Sequence, residues 1–256
     1  MKTVGRVLAS LLMVGTLSLG ALAQGLSAAR YDGEIEQQVT KEFHNSKQLS
    51  SVQSHVEDGI VTLTGKVDVY REKLDAAKKA RKIHNVQGVR NLIEVTSTVP
   101  DKELQDKLSE KLRYDRVGYY DNAFNFVTLT VKGGVVTVGG ETYDGVGRDT
   151  ALATVQNMPG VKDVVDEIKI APTSIFDDDL RVRTARAIYG DSELGRYGTD
   201  PARPIRIIVN NGNISLYGTV ENTMDKQIAG IRAGSVPGAF SVQNHLTVEG
   251  QPNSGL

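Results

Sequence analysis

Four histidines, His44, His55, His84 and His245, are the side chains best suited to hold a transition metal or move a proton near neutral pH. A zinc site needs several such ligands at close spacing. These four are scattered and make no H-x-x-x-H pair, so they read as isolated histidines and no metal is expected. There is no cysteine, which excludes disulfides, thiolate-bound zinc, iron–sulfur clusters, a thiol nucleophile and a lipid-modified cysteine. The run Asp177-Asp178-Asp179 can attract a cation, but it stands where a helix is expected to start, and acids there complement the helix dipole. No G-x-S-x-G elbow brings a serine nucleophile into play. The glycine-bracketed stretch "DGIVTLTG" (58–65) raises the question of a phosphate cradle. Such a loop feeds a helix N-terminus and usually carries a lysine. Here the first glycine leads into a run of β-formers instead. No cofactor and no enzymatic activity are expected.

The stretch is better read as punctuation, because it recurs as "GGVVTVGG" (133–140) and "NGNISLYG" (211–218). Its first glycine falls at Gly59, Gly134 and Gly212, and its second at Gly65, Gly140 and Gly218. Between them apolar residues alternate: Val61 and Leu63, Val136 and Val138, Ile214 and Leu216. Another alternating run comes just before: Val52, Ser54 and Val56, then 126–131, then 205–209. Asp58-Gly59, Gly133-Gly134 and Asn211-Gly212 tolerate positive φ, so each copy predicts a hairpin with a two-residue primed turn. The second glycines are expected at bulges or close approaches.

Upstream of each hairpin a stripe recurs every fourth position, apolar but for Thr184: Ile35, Val39 and Phe43; Leu104, Leu108 and Leu112; Leu180, Thr184 and Ile188. Each set predicts one amphipathic helix, with Asp32, Asp101 and Asp177 three residues earlier as its expected N-cap. A second helix and a third strand follow each hairpin. In the first copy the second helix is "YREKLDAAKKARKI" (70–83), with Tyr70, Leu74 and Ala77 as its apolar stripe. The joints "NMPGVKDVVDEIKI" (157–170) and "SVPGAFSVQNHLTV" (235–248) carry Gly160 and Gly238. The first copy, "KIHNVQGVRNLIEV" (82–95), has Asn85 at that place, and Asn is the next-best residue in a left-handed helix C-cap. Gly88 is then out of register.

The expected fold is α+β: three tandem αββαβ modules at 32–98, 101–171 and 176–249, each a small three-stranded mixed sheet packed on two helices. The hairpin at 56–67 and the "VPGAFSVQNHLTV" ending at 236–248 resemble the BON domain. The second copy departs most, with Thr142 after its hairpin and Asp166 in place of asparagine. Residues 1–23 read as a signal peptide: Lys2 and Arg6, an apolar centre, and "ALA" before Gln24, with cleavage expected after Ala23. An uncleaved inner-membrane anchor is the competing reading. The resemblance implies an exported, periplasmic, non-enzymatic protein that binds phospholipid or envelope components and supports envelope integrity and osmotic-stress tolerance. A periplasmic protein-binding or chaperone-like role is the alternative.

Lys and Arg total 30 against 31 Asp and Glu, so net charge gives no case for a nucleic-acid partner. Two features outside the shared pattern are candidate contacts with anionic phospholipid or an envelope protein. The first is the cationic end of the second helix: Lys73, Lys78, Lys79, Arg81 and Lys82. A solvated helix with cations at its C-terminus is the plainer account. The second is the aromatic "VGYYDNAFNF" (117–126), with Tyr119, Tyr120 and Phe124 as contact residues. Packing across a neighbouring repeat is the plainer account there.

Overall fold

The computed structural model describes residues 29–115, 122–200 and 203–250. The amino-terminal segment read as a signal peptide lies outside them, and no helix among the described residues is long and apolar enough to cross a membrane.

Repeat 1 contains α1 (Asp32–His44), a 3-10 turn (Lys47–Leu49), β1 (Gln53–Glu57), β2 (Ile60–Thr64), β3 (Lys66–Val67), α2 (Tyr70–Arg81), β4 (Gly88–Asn91) and β5 (Glu94–Val95). Repeat 2 contains α3 (Asp101–Arg113), a 3-10 turn (Asn122–Phe124), β6 (Phe126–Lys132), β7 (Val135–Thr142), α4 (Gly145–Gln156), β8 (Asp163–Asp166) and β9 (Lys169–Ile170). Repeat 3 contains α5 (Ile175–Tyr189), a short α6 (Gly195–Thr199), β10 (Arg206–Asn210), β11 (Asn213–Tyr217), β12 (Thr219–Val220), α7 (Thr223–Gly234), β13 (Ser241–Asn244) and β14 (Thr247–Val248). The chain forms two compact units. One is repeat 1 through Val67 together with Lys73–Glu94; the other joins Asp68–Glu72 to repeats 2 and 3.

Each repeat has the same three-stranded centre; the end strands form a separate two-stranded sheet in repeats 1 and 3, whereas in repeat 2 β9 pairs with β7 and makes the sheet four-stranded. The hairpin pairs antiparallel, with Val56 opposite Val61, Val131 opposite Val136 and Val209 opposite Ile214. The second hairpin strand then pairs parallel with the strand after the helix, Val61 with Val89, Val136 with Val164 and Ile214 with Val242. The central strand therefore carries the core, and Val61, Leu63, Val136, Val138, Ile214 and Leu216 are fully buried. From the first helices, Ile35, Val39 and Phe43, then Leu104 and Leu108, then Leu180, Thr184 and Ile188 are buried on the periodicity expected. Leu112 is half-buried. On α2 the buried face is Ala76, Ala77 and Ala80 rather than a stripe from Tyr70. Small side chains there let the helix backbone lie close to the sheet.

Both residues of each hairpin turn have positive φ: Asp58 and Gly59, Gly133 and Gly134, Asn211 and Gly212. At Gly65 a Cβ would meet the Ser51 carbonyl oxygen at 2.5 Å, and φ is +122°, so this is a close approach that only glycine fits. Gly140 and Gly218 take the same role against Phe126 and Pro204. Asn85 has φ +67°, matching Gly160 at +100° and Gly238 at +94°. The expectation of a helix C-cap is corrected here. The helices end earlier, at Arg81, Gln156 and Gly234. Each left-handed residue is instead third in a β-turn, closed by Val86 N–H to Ile83 O, Val161 to Met158 and Ala239 to Val236. Met158-Pro159-Gly160-Val161 has the proline and glycine where a type II turn requires them.

The N-cap expectation is corrected as well. Asp32 and Asp101 are first residues of their helices, and Ser174 caps α5 by accepting the Asp177 N–H at 3.1 Å. The three aspartates instead reach across to the hairpin. Asp32 accepts the N–H groups of Asp58 and Gly59 at 2.9 and 2.8 Å. Asp101 accepts those of Gly133 and Gly134 at 2.7 and 2.9 Å. Asp177 accepts those of Asn211 and Gly212 at 2.9 and 2.8 Å.

Candidate interaction surfaces

On repeat 1, Lys78, Arg81 and Lys82 are exposed and make no ion pair with a described residue. They sit in the last turn of α2 or just after it, where cations also suit the helix dipole. Lys79 is committed: its Nζ lies 2.8 Å from Glu42 Oε1 on α1. The bond from Lys79 and its charge hold the Glu42 carboxyl below the usual range. Lys73 is half-buried, and its backbone carbonyl accepts from Asn91 Nδ2 at 2.7 Å. Gln38, Lys41, Glu42, Asn45, Lys79 and Lys82 line a groove of about 570 Å³ between α1 and α2. Of the five expected cations, Lys78, Arg81 and Lys82 are exposed without an ion pair among the described residues, and the charge of Lys82 is felt by Glu42.

The aromatic segment divides. Tyr119 and Tyr120 lie outside the described residues. Phe124 does not face solvent. It is 5% exposed and belongs to the core of repeat 3, with Ile188, Leu194, Tyr197, Ile205 and Ile207. Its expected role as a lipid or partner contact is therefore corrected: the ring is used to join two repeats. Around it Arg206 donates to the Asn122 backbone oxygen and to Asn122 Oδ1, and Asn210 Nδ2 donates to Glu141 at 2.7 Å. The Phe126 and Tyr217 rings stack with centroids 3.9 Å apart, and His245 stacks on the far face of Tyr217 at 4.9 Å. Arg181, only 2% exposed, donates to Val209 O at 2.6 Å and lies over the Tyr143 ring. Beside this junction Leu112, Arg113, Val127, Leu129, Arg203 and Arg206 line a cleft of about 580 Å³.

Sequence reading missed one buried polar network. Asp225, 3% exposed, accepts from Tyr197 Oη at 2.6 Å and from Arg196, and its own N–H donates to Asn222 Oδ1. Tyr197 Oη in turn accepts the Glu221 N–H at 2.7 Å. This ties the extra helix α6 to the start of α7, and burial beside Asp225 raises the Tyr197 pKa. Only the Asn222 cap of Asp225 is local; the bonds that bring in Arg196 and Tyr197 span 24 to 29 residues, and no local pattern marks them.

The acidic run is likewise absorbed by the fold: Asp177 holds its hairpin turn, Asp178 pairs with Arg181 and Asp179 with Arg183. His44, His55, His84 and His245 remain on exposed positions of separate elements. No group of three or more His, Cys, Asp or Glu among the described residues is placed to hold a metal.

The BON domain model matches the chain at residues 31–97, 100–172 and 191–250. This chain belongs to the BON-domain family. The third match begins after α5, yet α5 packs on β10 as α1 and α3 pack on β1 and β6. BON domains are binding modules rather than catalytic ones, and they suggest a periplasmic, envelope-associated protein. No curated protein sequence matches the chain. Among solved structures it is similar to the C-terminal domain of CdsD, the structural protein of the type III secretion system of Chlamydia trachomatis. The identity is 12%, the TM-score 0.24, and the match covers 86% of this chain and 96% of that one. It is also similar to the PrgH periplasmic domain, at 12% identity and a TM-score of 0.21, covering 79% and 96%. Superpositions this loose carry no inference about role.

Proposed function

We propose that this BON-repeat protein is exported and works in the cell envelope without catalysing a reaction, contacting anionic phospholipid through the basic edge of repeat 1. The observation that carries this reading is the placement of Lys78, Arg81 and Lys82. They are exposed together at one helix end, beside a groove that adds Lys41, while Glu42 is paired with Lys79 and its charge also reaches Lys82. Each cation near an anionic membrane surface contributes about 1 kcal/mol. Contact of this kind weakens with salt. The apolar, basic-flanked residues 1–23 support export, and the family supports the envelope setting.

Co-sedimentation with phosphatidylglycerol vesicles, against phosphatidylcholine vesicles, tests the reading. The double variant Lys78→Glu, Lys82→Glu is expected to weaken anionic-vesicle binding at least roughly tenfold. Unchanged binding by that variant removes the basic edge as the contact.

A protein-binding or chaperone-like role is the second reading, and one surface supports it. Ile175, Phe176 and Phe240 cluster at the turn end of repeat 3, and Ile175 and Phe240 are 88% and 77% exposed. The two phenylalanine rings lie 6.4 Å apart. Exposed apolar clusters of this sort mark contact sites.

A further inference from the structure

The first strand of each hairpin has one edge paired and one edge turned outward. In repeat 2 the residues flanking the two-residue turn, Lys132 and Val135, form a hydrogen-bonded pair, and bonded and non-bonded pairs alternate from there. Val131, Leu129 and Val127 therefore direct their N–H and C=O groups away from β7, off the outer edge of β6. The same count in repeat 3 places Val209, Ile207 and Ile205 on the outer edge of β10. There side chains of α5 close the edge: Arg181 donates to Val209 O and Tyr189 Oη to Ile205 O, each at 2.6 Å. The 3-10 turn of repeat 2 packs on β10 as well.

Repeat 2 lacks that closure. Gln105 and Arg113 of α3 stand at the places of Arg181 and Tyr189, and neither side chain hydrogen-bonds to a described residue. Among the described strands β6 pairs with β7 alone. Its edge opens into the cleft of about 580 Å³ at the junction with repeat 3, and all five residues from 125 to 129 line that cleft. Successive side chains of a strand point to opposite faces, so a cleft that touches all of them runs along the edge and not over one face. The charges around the edge are unequal. Among the described residues the ionic lining is Arg113, Arg203 and Arg206 against Asp115 and Glu249. Arg203 is engaged by Glu249 at 3.1 Å and Asp200 at 3.5 Å. Arg113 is exposed and has no ion pair with a described residue. Arg206 is half-buried and donates only to Asn122, not to a carboxylate. Burial pushes its guanidinium down from the usual range, which the fields of Tyr189 and Asp115 offset only in part. A cation drawn out of water this way gains from a counter-charge. Repeat 1 also leaves its first strand uncovered, but Glu36 and His44 hold the equivalent helix places, and no arginine is among the described residues that line its groove.

We propose that the cleft between repeats 2 and 3 receives an acidic, extended segment of a partner protein. The segment adds as a strand to the outer edge of β6, exchanging main-chain hydrogen bonds with Val127 and Leu129. Its carboxylates meet Arg113 of α3 and Arg206 of repeat 3. The strand edge supplies affinity, and the arginines supply the preference for an acidic segment over a neutral one. The site uses none of the residues proposed to meet phospholipid, so either reading can fail alone.

The test titrates the isotopically labelled full chain with acetyl-Thr-Glu-Val-Glu-Val-Glu-Thr-amide, with its version carrying glutamine for glutamate, and with a fully N-methylated version of the acidic peptide. With the acidic peptide, saturable shifts are expected at the Val127 and Leu129 amides and at the side-chain N–H groups of Arg113 and Arg206. The glutamine peptide binds roughly tenfold more weakly, the worth of a hydrogen bond to a charged group. The N-methylated peptide gives no saturable shift, because it has no main-chain N–H to donate. Arg113→Glu weakens the acidic peptide by at least roughly tenfold, while Arg113→Lys, which keeps the charge, retains its binding. Arg113 is exposed, so both variants keep the urea midpoint of the unaltered chain. Equal binding of the glutamate and glutamine peptides overturns the proposal. So do saturable binding of the N-methylated peptide, unchanged affinity in Arg113→Glu, and the absence of any shift at these groups. The same shifts produced by glutarate at the peptide's concentration assign the cleft to a small anion. Those produced by phosphatidylglycerol vesicles assign it to a lipid headgroup, and those produced by raising protein concentration alone assign it to a second copy. Each of these results overturns it too.

Discussion

Asp177 Oδ1 accepts the Gly212 N–H at 2.8 Å while Oδ2 accepts the Asn211 N–H at 2.9 Å, so one carboxylate closes the hairpin turn of repeat 3 from the start of α5. A primed turn directs both its central N–H groups outward, and the chain must satisfy them. The same clamp recurs at Asp32 and Asp101, but Asp177 is the one buried, at 2% exposure. Asp177→Ala leaves Gly212 N–H unpaired in a buried place and is expected to cost about 3 kcal/mol, at the upper end for hydrogen bonds to a charged group. Asp32→Ala is expected to cost less, since water reaches the Asp58 N–H. Urea denaturation reads the difference, and hydrogen exchange at Gly212 should accelerate. A change within about 0.5 kcal/mol for Asp177→Ala contradicts the clamp.

How far such features can be read from sequence depends on the reach of the interaction. Gly59, Gly65 and Asn85 were legible because positive φ is a local demand that few residues meet. Helix faces were legible where a large residue recurs, as at Leu104 and Leu108, and less so on α2, where alanines do the packing. The aspartates stood out by position, but their partners lie 26 to 35 residues further on, so a local N-cap was the nearest wrong answer. Phe124 had a readable composition and an unreadable destination. Nothing around 117–126 encodes that its ring enters the core of the following repeat.

Asn85 tests the register directly. A non-glycine residue at φ +67° is strained, and asparagine bears this better than most. Asn85→Ala is expected to destabilise repeat 1 by about 1 kcal/mol. Asn85→Gly, which restores the residue of the other two repeats, should be neutral or slightly stabilising. Thermal denaturation of both variants checks the order. Equal loss for alanine and glycine would mean that the side chain, not the backbone, matters there.

Repeat 2 rewires one contact, and the exchange can be reversed. Asn91 and Asn244 donate from Nδ2 to the carbonyls of Lys73 and Lys226 at 2.7 and 2.6 Å. Asp166 stands in the same place and has no donor. Arg148, at the position of those lysines, donates from its side chain to Asp166 Oδ2 at 2.8 Å instead. All three residues keep a second bond, accepting from Ile93, Ile168 and Leu246. Asp166→Asn should therefore be tolerated within about 0.5 kcal/mol, because the amide can donate to the Arg148 carbonyl. Arg148→Ala leaves the carboxylate without its partner and should cost about 1 kcal/mol. In the double variant Arg148→Ala, Asp166→Asn, most of that loss should return. A purely additive double variant, measured by urea denaturation, would deny the coupling.

Phe124 sets how repeats 2 and 3 behave together. Its ring is buried in a core whose other fully buried members belong to repeat 3, so it links the cooperativity of one repeat to that of the other. Phe124→Ala removes that link and opens a cavity, at an expected cost of about 3–5 kcal/mol. The loss should fall on coupling as well as on stability. In the unaltered chain, exchange of core amides in β7 and β11 should follow one opening. In the variant, Ile214 and Leu216 of β11 should exchange through an earlier opening than Val136 and Val138 of β7. Phe126→Leu provides the contrast, because it removes the stack on Tyr217 at the surface of the junction and leaves Phe124 seated. It should lower stability modestly and keep the two openings together. If Phe124→Ala and Phe126→Leu give the same exchange pattern, the junction is held by its rim and not by the buried ring.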